Sequence, residues 1–235
     1  MSSSQQPSTE QLAQQPHSPS SKMILVLTGI AMLSGFLVVL VAQLTAPVIA
    51  ENQRIAIEKA VVKVIPGATT HKEFYLEEGK LVSQKQQLDS ESIYAGYDAQ
   101  GKLLGVAAKA GAQGYAGMIY LLFGYDPSCE CIRGIKILKM AETPGLGDKI
   151  ITDKNFQANF DALDAKIDTG NQSLANDIVT VKAGTKQHDW EIDAISGATI
   201  SSVAVGKALN ESAQRLMPQV LPQLHVLEVT NDAKD

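Results

Sequence analysis

This 235-residue sequence has little charge. Lys and Arg number 20 against 25 Asp and Glu, a formal net charge of −5. Without a basic excess it lacks the electrostatic footprint of a nucleic-acid binder, so no nucleic-acid partner is expected. Cysteine is almost absent: Cys129 and Cys131 are too few for a disulfide framework or a four-thiolate metal site. Two readings of the pair stand. They form a strained bridge in an oxidising compartment, or they are two ordinary small residues beside a turn, which is the expectation carried forward. The four histidines, His17, His71, His188 and His225, are scattered, and no HExxH, CxxC, P-loop or GxSxG pattern occurs. Neither a metal site nor a catalytic residue is expected. Gly111, Gly114 and Gly117 fit neither GxGxxG nor a strand-to-helix junction and read as a flexible connection.

One feature is abundant. Residues 23–42 form a 20-residue window without charge, interrupted only by Thr28, Gly29, Ser34 and Gly35 among apolar residues. As a helix it would reach roughly 30 Å, the thickness of a bilayer core. A secretory signal has a short basic leader and a shorter apolar run. Here 22 residues precede the window with Lys22 as their only Lys or Arg, so an uncleaved transmembrane anchor in contact with membrane lipid is expected, despite a passable cleavage pattern at Val48-Ile49-Ala50. Lys22 on one side against Arg54 and Lys59 on the other does not favour an N-inside orientation.

Residues 1–22 hold seven Ser, five Gln and three Pro, and are expected to be a disordered tail. Pro47 predicts a kink or restart, after which 51–65 reads as a helix with Ile57, Val61, Val64 and Ile65 near a 3.6-residue spacing, ended by Pro66-Gly67. Strand-like segments follow at 73–76 and 80–83 around Glu77-Glu78-Gly79, at 92–97 and 102–109 around a second turn, and at 117–125 and 131–140. The spacing of Phe156, Phe160 and Leu163 turns helical. Further strands are expected at 177–182 and 189–195, then a helix over 201–217 with Val205, Leu209 and Leu216 on one face. The segment from Pro222 is expected to fray. Hairpins in the middle and helices at the ends make the fold class α+β, an antiparallel or mixed sheet with flanking helices. The expected organisation is a tail over 1–22, a transmembrane helix over 23–42, a juxtamembrane helix and linker over 43–70, one domain over 71–220 and a C-terminal tail over 221–235.

Two stretches carry chemistry. In Asp193-Ala194-Ile195-Ser196-Gly197-Ala198-Thr199, a strand passes through small residues into a helix. The first turn of a helix exposes unpaired N–H groups and stabilises an anionic phosphate. Gly197 and Ala198 leave room for close approach, and Thr199 offers a hydroxyl. The commoner use of such hydroxyls, at Thr199, Ser201 or Ser202, is as an N-cap. In Glu142-Thr143-Pro144-Gly145-Leu146-Gly147-Asp148, a Pro-Gly turn lodges Leu146 between two glycines, where it would cover a flat ligand or simply lie on a surface loop.

Together these stretches resemble the covalent FMN-binding domain in which a threonine hydroxyl is esterified to the FMN phosphate. Ser196-Gly197-Ala198-Thr199, introduced by Asp193, resembles its attachment motif, and the stretch from Glu142 to Ile150 resembles its upstream loop. Gly114-Tyr115-Ala116-Gly117 and Gly124-Tyr125-Asp126-Pro127 sit where that domain would have them. With one N-terminal membrane helix, the sequence is similar over residues 23–220 to the G subunit of the Rnf electron transport complex. Relatives often carry basic or histidine residues before Glu142, where Met140 and Ala141 stand here.

The resemblance implies FMN joined by a phosphoester to Thr199 through a separate flavin transferase, with Asp193, Ser196, Gly197 and Ala198 at the attachment point. Glu142, Thr143, Gly145, Leu146 and Gly147 would lie against the flavin, with Tyr115 beside it. It further implies an electron-carrying subunit without stand-alone activity, in the inner membrane among other subunits of an ion-translocating ferredoxin/NAD oxidoreductase, the flavin domain on the periplasmic side. Alternatives are the C subunit of the sodium-translocating NADH:quinone oxidoreductase, a membrane-bound FMN-dependent redox sensor, and a cofactor-free anchored module.

Overall fold

The computed structural model describes residues 20–229 apart from Leu88, Thr169 and Asn171. Up to position 19 the expected tail lies outside the described residues. Ser20 to Lys22 instead open a helix. The chain divides into two units, residues 1–52 and 53–235.

The first unit is carried by helix α1, Ser20–Val64, which contains Pro47 and runs on into the second unit without the expected restart. A proline removes one helical donor, a local cost that strong helix formers on both sides outweigh. Just before it Thr45 donates its hydroxyl to the Val41 carbonyl at 2.8 Å. The helix is long and apolar enough to cross a membrane, and its large side chains, Leu25, Met32 and Val38 among them, are exposed within the unit.

The second unit is built on a seven-stranded antiparallel sheet in the order β2-β1-β3-β4-β5-β6-β7. Its strands are β1 (Thr70–Glu77), β2 (Lys80–Val82), β3 (Glu91–Tyr97), β4 (Leu103–Gln113), β5 (Met118–Asp126), β6 (Cys131–Lys139) and β7 (Leu163–Asp164). Glu78 and Gly79, both at positive φ, form the two-residue turn of the first hairpin. Short helices α2 (Lys149–Thr152) and α3 (Lys154–Ala158) lead into β7. The helical spacing of Phe156, Phe160 and Leu163 is misleading at its end. Leu163 pairs with Ile132 in β6, where its side chain is fully buried. Two small pairs complete the unit: β8 (Ile167–Asp168) with β9 (Ser173–Leu174), antiparallel, and β10 (Val179–Val181) with β11 (Glu191–Asp193), parallel.

Alternation along the strands separates two packed faces. On one, helix α4 (Thr199–Val220) sets Val205, Leu209, Ala213 and Leu216 against Ile93, Val106, Ala108, Ile119, Leu121 and Phe123. Alanines on β4 keep the helix close enough for Ser212 Oγ to donate to the Lys109 carbonyl at 3.0 Å. On the other face, Val61, Val64 and Ile65 pack on Tyr94, Ala107 and Leu122. A glycine permits this approach: a Cβ at Gly124 would stand 2.0 Å from the Val64 carbonyl oxygen.

Two expectations are corrected in this unit. The segment after α4 is ordered through Val229, with a 3₁₀ turn at Leu221–Gln223 followed by helix α5, Leu224–Val229. Leu227 is fully buried, and the Tyr97 hydroxyl donates to its carbonyl at 2.7 Å, so this segment belongs to the core. Positions 230–235 lie outside the described residues. Cys129 and Cys131 are joined as a disulfide rather than standing as two small residues. The four-residue turn from β5 to β6 bends at Glu130 (φ 53°) and brings their Cα atoms to 5.2 Å.

Candidate functional site

The connection from β4 to β5 is a tight turn, not the flexible link expected of three spaced glycines. Gly114 N–H donates to the Gly117 carbonyl at 2.8 Å, which leaves Tyr115 exposed at the tip. The chain following β6 enters a loop through Glu142, whose side chain is buried although its neighbours on the loop are exposed. The burial is satisfied by two donors from separate elements. Ala116 N–H donates to Glu142 Oε1 at 3.1 Å, and the Ser201 hydroxyl donates to Oε2 in a short contact. A buried carboxylate with its acceptors engaged is a stable tie between elements. Close packing supports it: a Cβ at Gly114 would lie 2.5 Å from Oε1, and one at Gly147 2.5 Å from Oε2 and 2.7 Å from Ser201 Oγ. Glu142 thereby joins the 114–117 turn, the 142–148 loop and the start of α4.

The other wall comes from β11 and α4. The Asp193 carboxylate accepts from the N–H groups of Gly184 (2.9 Å) and Thr185 (3.2 Å). Its backbone is held by Asn159, which accepts from Asp193 N–H at 2.9 Å and donates to its carbonyl at 3.3 Å. Gly197 then takes φ 81°, a conformation costly for any residue with a Cβ. The reversal starts α4 at Thr199, with Ala198 as N-cap and no side chain capping the helix. Neither Thr199 nor Ser201 nor Ser202 serves as the cap. The Ser202 hydroxyl turns back, accepting from Ile195 N–H at 3.1 Å and donating to the Ala198 carbonyl at 3.0 Å. The first helical backbone bond is Ser202 N–H to Ala198, so the N–H groups of Thr199, Ile200 and Ser201 form an uncapped first turn at the positive end of a 22-residue helix.

Between these walls lies a cleft of about 570 Å³, lined among others by Tyr115, Glu142, Leu146, Gly147, Thr199 and Ile200. Thr143, Gly197, Ala198 and Ser201 also line it. The structure therefore brings together eight of the residues singled out in the sequence: Tyr115, Glu142, Thr143, Leu146, Gly147, Gly197, Ala198 and Thr199. Gly145, Ser196 and Asp193 do not line the cleft. Gly145, at φ 78°, shapes the loop, and Asp193 anchors the turn at 184–185. Sequence reasoning gave no site role to Ser201 or Ile200. Ser201 carried a signal as a hydroxyl two residues past Thr199, but its partner is 59 positions away.

The residues fit an FMN group. The volume lies in the range of cofactor pockets. Tyr115, Leu146 and Ile200, each about half or more exposed, offer apolar surface to a flat ring. The uncapped first turn suits a phosphate, with the exposed Thr199 on it. Asp148 Oδ1, next in the chain to Gly147, is buried without a hydrogen-bond partner among the described residues.

Comparison with known proteins agrees. The family model of the FMN-binding domain matches residues 114–214. The G subunit of the ion-translocating oxidoreductase complex of Aliivibrio fischeri (strain MJ11) is 32% identical over 194 residues, covering 81% of this chain and 87% of that one. The protein of the same name from Methanosarcina acetivorans is 36% identical over 126 residues, covering 54% of this chain and 58% of its own length. The G subunit of the Na(+)-translocating ferredoxin:NAD(+) oxidoreductase complex of Acetobacterium woodii is 38% identical over 123 residues, covering 52% and 53%. The chain thus spans little more than half the length of these last two relatives. Among solved structures, NqrC of Shewanella oneidensis superposes with a TM-score of 0.59 at 19% identity, over 75% of this chain and 99% of that one, a likeness of fold. With the cleft, the matched domain and the near-full-length similarity to the Aliivibrio protein, this chain belongs to the family of G subunits of ion-translocating oxidoreductase complexes.

Proposed function

We propose that this chain is a membrane-anchored flavoprotein subunit that carries FMN esterified through its phosphate to Thr199 and relays electrons within an ion-translocating oxidoreductase complex. The observation that carries the reading is the cleft itself. Stretches around Glu142 and Thr199, far apart in sequence, form its two walls, and Thr199 stands exposed on an uncapped helix start. Thr199 is an attachment point, with no catalytic role of its own. The uncapped N–H groups of residues 199–201 stabilise phosphate charge, and Leu146 and Tyr115 exclude water from the ring. The bound flavin supplies the redox chemistry, while the protein supplies position and surroundings. A flavin transferase acting on the 193–199 segment, which is exposed at Ser196, Gly197 and Thr199, installs the group.

Residues 23–42 of helix α1 are the anchor, with their apolar surface in contact with lipid. The disulfide supports an outward-facing domain, because such bonds persist in oxidising compartments. The flanking charges, one before the window against two after it, favour the opposite orientation, so the outward reading rests on the disulfide and the family resemblance. Coexpression with a flavin transferase tests the attachment. Flavin fluorescence should migrate with the chain on a denaturing gel, the intact mass should rise by one esterified FMN, and both should vanish in Thr199→Val. Fluorescence persisting in that variant, or none in the parent chain, overturns the reading.

A further inference from the structure

We propose that the Cys129–Cys131 bridge is a thiol–disulfide exchange site that accepts two electrons from a dithiol protein. The flavin cleft plays no part in it. The turn lies after Asp126 and the cleft turn before Met118, at opposite ends of β5, roughly 26 Å apart at the usual strand rise.

A single residue separates the two cysteines. So short a loop removes little freedom from the unfolded chain, so the bridge has little to offer as a stabiliser. It also closes around a residue in an uncommon backbone conformation. Glu130, between the cysteines, is held at φ 53°, one of three residues other than glycine at positive φ among the described residues. The turn is nevertheless rigidly placed. Asp126 Oδ1 accepts from Ser128 N–H at 2.8 Å and Ser128 Oγ at 2.6 Å, and Ala165 N–H donates to the Glu130 carbonyl at 3.0 Å. A closed bridge that constrains an unfavourable backbone is the reducible kind.

Burial fixes the direction of exchange. Cys129 is partly buried, whereas Cys131 is buried between strands, paired with Asp126 on one side and Asp164 on the other. A partner thiolate therefore attacks Cys129 Sγ. The S–S bond breaks, and its electron pair leaves on Cys131 Sγ, which takes up a proton in its carboxylate-rich surroundings. A second thiol of the partner attacks the mixed disulfide and releases Cys129 as a thiol. The partner ends as a disulfide, and two electrons and two protons have moved to this chain. Asp126, Glu130 and Asp164 also repel small anionic thiols, which favours a dithiol protein over glutathione.

The test incubates the full-length protein, in detergent, with reduced thioredoxin as the dithiol, quenches with an alkylating agent and counts modified cysteines by intact mass. The expected result is a closed bridge without reductant and at least about tenfold more open than closed at one equivalent. Glu130→Gly relieves the backbone conformation and should shift the equilibrium about fivefold toward the closed form, while Glu130→Gln, which removes only the charge, should not. A bridge that stays closed at ten equivalents, free thiols before any reductant, or equal equilibria in Glu130→Gly and Glu130→Gln would each overturn the proposal.

Discussion

The carboxylate of Glu142 and the hydroxyl of Ser201 meet, both buried, at the lining of the cleft, 59 residues apart in the chain. The contact makes the loop wall and the helix wall a single object. Anything that separates the pair uncouples the two walls without touching Thr199.

Gly147 is the sensitive neighbour of that pair. A methyl group there would lie 2.5 Å from Glu142 Oε2 and 2.7 Å from Ser201 Oγ, and neither can retreat without giving up its hydrogen bond. Gly147→Ala should cost about 1–3 kcal/mol, the usual penalty of overpacking, and lower flavin stoichiometry. Ser201→Ala makes no clash but takes this donor from a buried carboxylate, a loss of about 1–3 kcal/mol, so Gly147→Ala, which disturbs both partners, should cost at least as much. Urea denaturation and the flavin-to-protein absorbance ratio of both variants would check the order.

Gly197 sits in open space, with nothing within 4 Å of a built Cβ, but its φ is 81°. Gly197→Ala therefore isolates a backbone effect. It should destabilise the folded chain by about 1–2 kcal/mol and slow FMN attachment by altering how Thr199 is presented. The time course of in-gel fluorescence with purified transferase measures the second effect, and thermal unfolding the first.

How much of this was legible beforehand depended on whether a partner was local. The hairpin turn at Glu78-Gly79, the strands from β3 to β6 and the two chemical stretches carry their signals within a few residues. The burial of Glu142 does not. In sequence it is one acidic residue on a polar loop, and only the fold supplies Ala116 and Ser201 as donors. The same applies to Leu163, whose helical spacing yields to pairing with Ile132, and to residues 221–229, whose order comes from Tyr97 in a distant strand. The restart expected at Pro47 is missing for the opposite reason. Its local rule is real, but one missing donor does not end a long apolar helix.

The Tyr97 hydroxyl is a polar tie between the sheet and α5, and both partners are buried. In Tyr97→Phe the ring still packs, but the Leu227 carbonyl loses this donor. The expected loss is about 1 kcal/mol, and amide exchange should rise in residues 224–229 before it rises in α4. Hydrogen exchange followed by mass spectrometry would resolve the two helices.

Glu77 gives the unit a defined pH response. Its carboxylate accepts from Gln86 N–H (2.8 Å) and Gln87 N–H (3.0 Å), and these backbone bonds, that from Gln86 first, hold it below the ordinary value of 4.5. A depressed carboxylate favours the folded state above its unfolded value, and the contribution disappears as pH falls through the folded value. Glu77→Gln cannot titrate, so it should be less stable than the parent at pH 7 and converge with it in acid, below the ordinary glutamate range. Urea midpoints of the two proteins between pH 7 and pH 3 would show that convergence. A constant difference across the range would mean that Glu77 acts by packing alone.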